Sequence, residues 1–231
     1  IVLLGKIGAG KSATGNTILG EKKKAFNVDS SPSSVTKECQ KETCNLNDRT
    51  VTVIDTPGMF DTKLSQKDLK REIEKCIMMS VPGPHIFLLV IRLGVHFTTE
   101  EKNALKWIKE NFGEEVSYYT VVVFSRGDEL EGTIESYLQK SEDLEKLISD
   151  CEGRYVVFDN ENIGNQTQVN DLFEIIDEAV IYNWGHYTSK IYEKAQNKLW
   201  WAQVGQHLEN ARSCLMSLAG QPVVGGKSTA P

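Results

Sequence analysis

The sequence predicts an α/β fold with a mostly parallel six-stranded sheet and one antiparallel edge strand. Five short apolar runs alternate with amphipathic helical segments, a rhythm typical of parallel strands that are buried on both faces between crossover helices. A further segment, 36–46, is joined to the next run by Asn47-Asp48-Arg49, and this turn chemistry predicts an antiparallel hairpin at the sheet edge. A chain of 231 residues, 40% of them hydrophobic, can build one sizeable core with an appendage.

Each predicted element follows from its own local pattern. The apolar runs predict strands at 1–4, 51–54, 86–91, 119–124 and 155–158. Apolar residues at three- and four-residue spacings, together with cap residues, predict helices at 12–19, 68–79, 99–112, 134–149 and 169–182. Thr99 is the expected N-cap of the third helix.

The alternation ends near Tyr182, so we expect a first domain over residues 1–183. Residues 184–219 are predicted to form a helical extension rich in tryptophan, which either packs back on the domain or binds a partner. Residues 220–231 are rich in Gly, Pro and Ser and are predicted to be disordered. The chain begins inside its first strand without a methionine, so we expect it to be a segment of a longer protein.

Composition disfavours several classes of function. The net charge of −6 and the pI near 5.4 argue against nucleic acid or an anionic membrane as a partner of the bulk surface. Five scattered cysteines without a Cys-x-x-Cys pair predict free thiols in a reducing compartment rather than a zinc site. No signal peptide, membrane anchor or apolar run of about 18 residues is visible. We therefore expect a cytoplasmic protein.

The first strand leads into a phosphate-binding loop, Gly5-x-x-x-x-Gly10-Lys11-Ser12. Glycines at the two ends let the backbone approach a ligand closely, and the amide groups of Gly8, Ala9 and Ala13, like those of the rest of the loop and the helix start, present positive partial charge. We expect Lys11 to lie between the β- and γ-phosphates and to assist catalysis there, with the Ser12 hydroxyl as a Mg²⁺ ligand.

A second motif, Asp55-Thr56-Pro57-Gly58, ends a predicted strand 44 residues after Lys11. At that place Asp55 can hold Mg²⁺ through water, and the Gly58 amide can contact the γ-phosphate during catalysis. The polar stretch 28–37 lies between the two motifs, and a hydroxyl from it can complete the metal shell. Thr36 is the predicted residue, with a role in both metal binding and catalysis.

Selection of guanine is predicted from Ser125-Arg126-Gly127-Asp128, which follows the strand at 119–124. The Asp128 carboxylate can accept hydrogen bonds from the two donor nitrogens of guanine. Ser125 replaces the asparagine usual in such a motif, and the stem of Arg126 can cover the base as a lysine would. Asn160 follows the next strand and is predicted to contact the base as well.

Taken together, these motifs resemble the immunity-associated GTPases, the GIMAP family. The resemblance rests on the segments 10–20, 34–36 and 55–61, and above all on the box 82–90 with its continuation through 93–94 to 98–101. It implies a Ras-like P-loop GTPase fold with a C-terminal helical extension, related to septins and chloroplast-import GTPases. It further implies binding of GTP and GDP with Mg²⁺, self-association of the G domain controlled by nucleotide, and attachment of some full-length members to intracellular membranes.

Two positions depart from what hydrolysis requires. Ras-like enzymes place a water-orienting glutamine after Asp-x-x-Gly, where this chain has Met59. The resemblance implies an arginine supplied by a partner subunit, and the nearest position here is His96, whose neutral imidazole is a poorer stabiliser of phosphoryl charge. We therefore expect slow or dimer-dependent hydrolysis.

Three functions remain open at this level. The leading hypothesis is a GTP-binding switch that forms homodimers or oligomers, or assembles with other family members, when GTP is bound. The second is a scaffold that binds GTP and hydrolyses none. The third, an ATP-using P-loop enzyme, would need a different base pocket and an acceptor site.

Overall fold

The computed structural model describes residues 1–20, 25–28, 38–60, 65–188 and 193. Its strands are β1 (Val2–Gly5), β2 (Gln40–Leu46), β3 (Arg49–Asp55), β4 (Phe87–Arg92), β5 (Thr120–Ser125) and β6 (Tyr155–Phe158). They form one six-stranded sheet in the order β2-β3-β1-β4-β5-β6. All neighbouring pairs are parallel except β2 and β3, which confirms the predicted sheet with its antiparallel edge strand.

The edge hairpin is fixed by its turn. Asn47 and Asp48 have positive φ angles of 48° and 61°, a backbone conformation that these two residue types tolerate better than most. The pairing runs from Leu46 opposite Arg49 to Gln40 opposite Asp55. Of the predicted hairpin segment, residues 36 and 37 lie outside the described part of the chain.

The helices are α1 (Lys11–Leu19), α2 (Gln66–Met78), α3 (Thr99–Lys102), α4 (Ala104–Phe112), α5 (Ile134–Leu138), α6 (Glu142–Asp150) and α7 (Gln166–Tyr182). Two segments predicted as single helices are each divided, at Asn103 and at 139–141. A new cap explains the second division, because the Ser141 side chain accepts a hydrogen bond from the Leu144 amide and starts α6.

The predicted N-cap at Thr99 is wrong by one residue. Thr98 caps α3, and its hydroxyl accepts from the Glu101 amide while the Glu101 carboxylate accepts from the Thr98 amide. This capping box satisfies two backbone donors at once, so it decides where the helix begins.

The core lies on both faces of the sheet, as strands without a solvent-facing side require. Along β4, Phe87 and Leu89 face one apolar cluster while Leu88 and Val90 face the other. The alternation follows the two-residue period of a strand.

A tyrosine beyond α7 also belongs to this core. Tyr187 is fully buried, and its ring makes edge-to-face contacts with Phe87 and Tyr119. Its hydroxyl donates to the Phe112 carbonyl oxygen. Trp184, three residues earlier, is 97% exposed.

The chain divides into two compact units, 1–192 and 193–231. Most of the predicted helical extension (184–219) and all of the predicted disordered tail (220–231) lie outside the described residues. The domain boundaries therefore stay predictions. In the part of the chain that the structure describes, no helix combines the length and the apolar character needed to cross a membrane.

The expectation of free thiols is wrong for one pair of cysteines. Cys39, just before β2, and Cys76, in α2, are joined as a disulfide, and their Cα atoms lie 5.5 Å apart. Sequence spacing could not predict this pair, because 37 residues separate the two cysteines and only the packing of α2 against the start of β2 brings them together. Cys151 is a buried thiol, and burial raises its pKa to about 12.

Candidate functional site

The candidate site begins where β1 ends. Gly5 closes the strand, and α1 starts at Lys11 directly after Gly10, which has a left-handed φ of 94°. A Cβ atom on Gly5 would lie 2.5 Å from the Val90 carbonyl oxygen of β4, so only glycine fits there. The predicted phosphate-binding loop, with Gly8 and Ala9 inside it, thus connects a central strand to the N-terminus of a helix, where backbone amides favour an anion.

The side chain of Lys11, the first residue of α1, folds back against the preceding loop. Its side chain is buried, and the ammonium donates to the carbonyl oxygens of Gly5 at 3.2 Å and Lys6 at 3.1 Å. Burial lowers the pKa of Lys11 below its usual value, and the nearby Asp55 carboxylate opposes this effect. The ammonium is therefore held within the concave side of the loop by backbone oxygens.

Ser12 and Asp55, predicted as metal ligands, are in direct contact. The Ser12 hydroxyl, in the first turn of α1, donates to Oδ2 of Asp55 at 2.7 Å. Asp55 is fully buried at the carboxyl end of β3. A hydroxyl and a carboxylate oxygen are donors that Mg²⁺ accepts, and Mg²⁺ typically takes one or two protein ligands and completes its shell with phosphate oxygens and water. Thr36, the third predicted ligand, lies outside the described residues.

The segment after Asp55 packs directly on the loop. A Cβ atom on Gly58 would lie 2.3 Å from Cγ1 of Ile7, so a larger residue would push the two segments apart. The Met59 amide donates to the Gly5 carbonyl oxygen at 2.9 Å, and Met59 forms a parallel bridge with Lys6. The Met59 side chain is fully buried in the apolar core, where its sulfur has no access to water.

The predicted base-binding motif reaches the same loop from β5. Ser125 is buried, and its hydroxyl donates to the Ala9 carbonyl oxygen at 2.7 Å. Arg126 adopts a left-handed φ of 63°, and its guanidinium pairs with Glu129 at 3.3 Å. Asp128 is exposed on the short 3₁₀ turn Gly127–Glu129 that follows.

Asn160 is tied to α1. Its amide oxygen accepts from the Thr17 hydroxyl at 2.8 Å, and its amide nitrogen donates to the Thr14 hydroxyl at 3.1 Å. Both threonines are fully buried. These bonds engage both ends of the amide, and contact of Asn160 with a base stays a prediction.

Gln168 is a positioning residue that sequence reasoning missed. It is buried near the start of α7, and its amide nitrogen donates to the carbonyl oxygens of Asp159 and Asn162, both at 3.1 Å. Its amide oxygen accepts from the Asp159 backbone at 2.9 Å. No sequence signal pointed to it, because Gln168 lies one residue before the helix predicted at 169–182.

His96, the predicted counterpart of a catalytic arginine, is exposed in the loop between β4 and α3. That loop lies beside the phosphate-binding loop, because Lys6 pairs with Glu100 at 2.7 Å and its ammonium lies 3.5 Å from the Thr98 hydroxyl. Sequence reasoning also missed this ion pair. A role of His96 in catalysis stays a prediction.

The sequence profile of the AIG1 family matches residues 1–206. The chain belongs to the AIG1 family. The predicted family resemblance is therefore confirmed, because the relatives of this AIG1 chain include proteins named GTPase IMAP.

Two curated relatives illustrate the range of the AIG1 family. GTPase IMAP family member 8 of Homo sapiens is 38% identical over 191 residues, which cover 81% of this chain and 28% of the human protein. Immune-associated nucleotide-binding protein 13 of Arabidopsis thaliana is 36% identical over 185 residues, which cover 77% of this chain and 54% of the plant protein. The chain thus spans about a quarter to a half of these relatives.

Solved structures of Toc33 from Arabidopsis thaliana share the fold. A dimerization-deficient mutant of Toc33 superposes with a TM-score of 0.62 at 21% identity, covering 77% of this chain and 82% of that one. Toc33 in complex with GDP and Mg²⁺ superposes with a TM-score of 0.61 at 22% identity and the same coverage. These superpositions confirm the predicted Ras-like P-loop fold of this AIG1 chain.

The Asn160 contacts generate a stability prediction. Replacing Asn160 by Ala removes the amide donor to the buried Thr14 hydroxyl and one of the two acceptors of the Thr17 hydroxyl, whose other acceptor is the Ala13 carbonyl oxygen. We expect the free energy of unfolding to fall by about 1–3 kcal/mol. Urea denaturation followed by circular dichroism measures this. Asn162→Ala is the matched control, because Asn162 is exposed and its backbone makes the bonds to Asp159 and Gln168. Equal losses in both variants would contradict the role given to the Asn160 amide.

Proposed function

We propose that this AIG1 chain is a guanine-nucleotide switch that binds GTP and GDP with Mg²⁺ and self-associates through its G domain in the GTP-bound state. One observation carries the proposal: Ser12 on α1 and Asp55 on β3 meet at 2.7 Å beside a loop that encloses the Lys11 ammonium. Two comparisons support this proposal: the human relative is named a GTPase, and Toc33 was crystallised in complex with GDP and Mg²⁺.

Each residue of the loop would have a separate task. The backbone amides from Gly8 to Ala13 bind phosphate oxygens, and Lys11 turns from the carbonyls of Gly5 and Lys6 to the β- and γ-phosphates. Ser12, Asp55 and Thr36 would hold Mg²⁺, which, when bound, neutralises charge that develops on the phosphates. The Gly58 amide would bind the γ-phosphate.

The base would be selected at the carboxyl ends of β5 and β6. Asp128 accepts from the guanine nitrogens and the Arg126 stem covers the ring, with Asn160 nearby as a further contact. Ser125 joins this region to the phosphate loop through Ala9, so base and phosphates would be held by one connected unit.

Self-association is proposed from the family and from the site itself. For the chloroplast translocon components atToc33 and psToc159, dimerization is important for the GTPase activity. In this chain Met59 is buried and offers no group to orient water, so a second subunit would have to complete the site, with His96 as the residue contributed. The partner would be a second copy or another family member. The location would be the cytoplasm, or the cytosolic face of a membrane for a longer protein.

A scaffold that binds GTP without hydrolysis is the second candidate. The burial of Met59 favours it, because the position that usually activates water is part of the core here.

The first test is removal of the Lys11 ammonium. We expect Lys11→Ala to weaken binding of a fluorescent GDP analogue by about 30-fold to several thousand-fold, since loss of a buried charged partner costs about 2–5 kcal/mol. Lys6→Ala is the matched control, because the neighbouring lysine is paired with Glu100 and should change the affinity little. Tight binding by the Lys11 variant would contradict the site.

The second test exchanges the base preference. Asp128→Asn replaces an acceptor by an amide that can donate to the extra carbonyl of xanthine. We expect affinity for GTP to fall and affinity for xanthosine triphosphate to rise, each by about 5- to 150-fold, in line with about 1–3 kcal/mol for an unmatched polar pair. Glu131→Gln serves as the control, because Glu131 is an exposed carboxylate beyond the turn. ATP should compete poorly with the original chain and with this control. If ATP displaces bound nucleotide as well as GTP does, guanine selection by Asp128 is wrong.

The third test separates switch from scaffold. Single-turnover hydrolysis of GTP is measured at protein concentrations below and above self-association, which is followed by light scattering. We expect a rate that rises with concentration and falls in His96→Ala. Absence of hydrolysis at every concentration would leave the scaffold as the function.

A further inference from the structure

The disulfide between Cys39 and Cys76 lies beside the candidate site rather than in a distant part of the fold. Cys39 stands one residue before β2 and is partly exposed, whereas Cys76 is fully buried on α2. Their Cα separation of 5.5 Å falls in the middle of the range of about 4.4–6.8 Å that a disulfide spans.

The bond closes a loop that contains two residues of the proposed metal and phosphate site, Asp55 and Gly58. Between the two cysteines lie β2, then β3 with Asp55 at its end, and then Gly58 and Met59. Asp55 contacts Ser12, and Met59 is hydrogen-bonded to Gly5. A covalent tie between the ends of this loop therefore restrains the segment that carries Asp55 and Gly58.

The surroundings accommodate the reduced state too. The Cys39 sulfur lies 3.3 Å from the Glu72 carbonyl oxygen of α2, an acceptor for a thiol hydrogen. Independently of the sulfurs, the Lys41 ammonium donates to the Met79 carbonyl oxygen at 2.8 Å and holds β2 against the end of α2. Reduction can break the bond without separating the two thiols, so the bond can form again.

Other described cysteines do not share this arrangement. Cys44 lies five residues along the chain from Cys39, within β2, and packs on the opposite face of the sheet. Cys151 is fully buried, with a pKa of about 12. Neither is placed to exchange with the pair.

We propose that Cys39 and Cys76 form a reversible dithiol–disulfide site that takes small-molecule disulfides of the glutathione class, and that the bond slows nucleotide release. The second half rests on the proposed function. In the cytoplasm proposed for this chain, which is reducing, a persistent structural disulfide is not expected, whereas a reversible one is typical of redox sensing.

The thiol–disulfide exchange needs no reactant other than glutathione disulfide. The Cys39 thiolate attacks one sulfur of glutathione disulfide, forms a mixed disulfide and releases one glutathione thiolate. The Cys76 thiolate then attacks the Cys39 sulfur and releases the second glutathione. The two protein thiols lose two electrons to glutathione disulfide, and their protons pass to the two glutathione thiolates. Excess reduced glutathione reverses both steps.

The site itself is tested on the full chain in glutathione buffers of graded ratio, with alkylation and peptide mass spectrometry. We expect the Cys39 and Cys76 peptides to become linked and unlinked reversibly, with a thermal midpoint about 5–10 °C higher when linked. Cys44→Ser should behave like the original chain, and Cys39→Ser should show neither the link nor the shift. Absence of the link in excess glutathione disulfide would overturn the proposal.

Regulation is tested by release of a fluorescent GDP analogue from both redox forms. We expect release from the oxidised chain to be at least about threefold slower, and no difference for Cys39→Ser. Equal rates for the two forms of the original chain would overturn the regulatory half. A chain that forms the link but binds no guanine nucleotide would instead refute the proposed function and leave the redox site standing.

Discussion

The position of β1 between β3 and β4 is the constraint on which the candidate site depends. This four-residue strand is buried on both faces and paired in parallel on both edges, so its carboxyl end is fixed from two sides. Gly5 lies against the Val90 carbonyl oxygen on one side, and Met59 bonds to Gly5 on the other. The position of the phosphate-binding loop therefore depends on β4 and on the segment that follows β3. Its shape is set by neighbours that a larger residue at position 5 would displace.

Side chains from both sides of β1 link the two halves of the site. Ser125 and Asn160 come from strands on one side of β1 and bind Ala9, Thr14 and Thr17, while Asp55 comes from the other side and binds Ser12. The phosphate-binding loop and helix α1 are thus held together by side chains from three strand ends, Ser125 on the loop and Asp55 and Asn160 on the helix. A change in any one of these contacts would be felt along α1, because packed elements shift as units rather than deform locally.

Much of this could be predicted because the sequence carries local signals for it. Apolar runs indicated the strands, the Asn47-Asp48 turn indicated the edge hairpin, and the Gly-Lys-Ser and Asp-x-x-Gly spacings placed Lys11 near Asp55. The features that the sequence did not predict depend on contacts between residues far apart in the chain. Neither the disulfide of Cys39 with Cys76 nor the clamp made by Gln168 has a sequence pattern, since each partner is chosen by packing. The cap at Thr98 was missed by one residue because Thr98 and Thr99 are equally good candidates until the Glu101 carboxylate is located.

Tyr187 fixes the place at which the polypeptide leaves the sheet. Its amide donates to the Pro84 carbonyl oxygen, and its ring packs on Phe87, the first residue of β4. The chain is thereby pinned at the amino ends of the parallel strands, whereas the phosphate loop lies at their carboxyl ends. The candidate site and Tyr187 therefore lie at opposite ends of the same parallel strands. A substitution at Tyr187 would loosen the amino ends of β4 and β5, and would reach the phosphate-binding loop only through the length of the central strands.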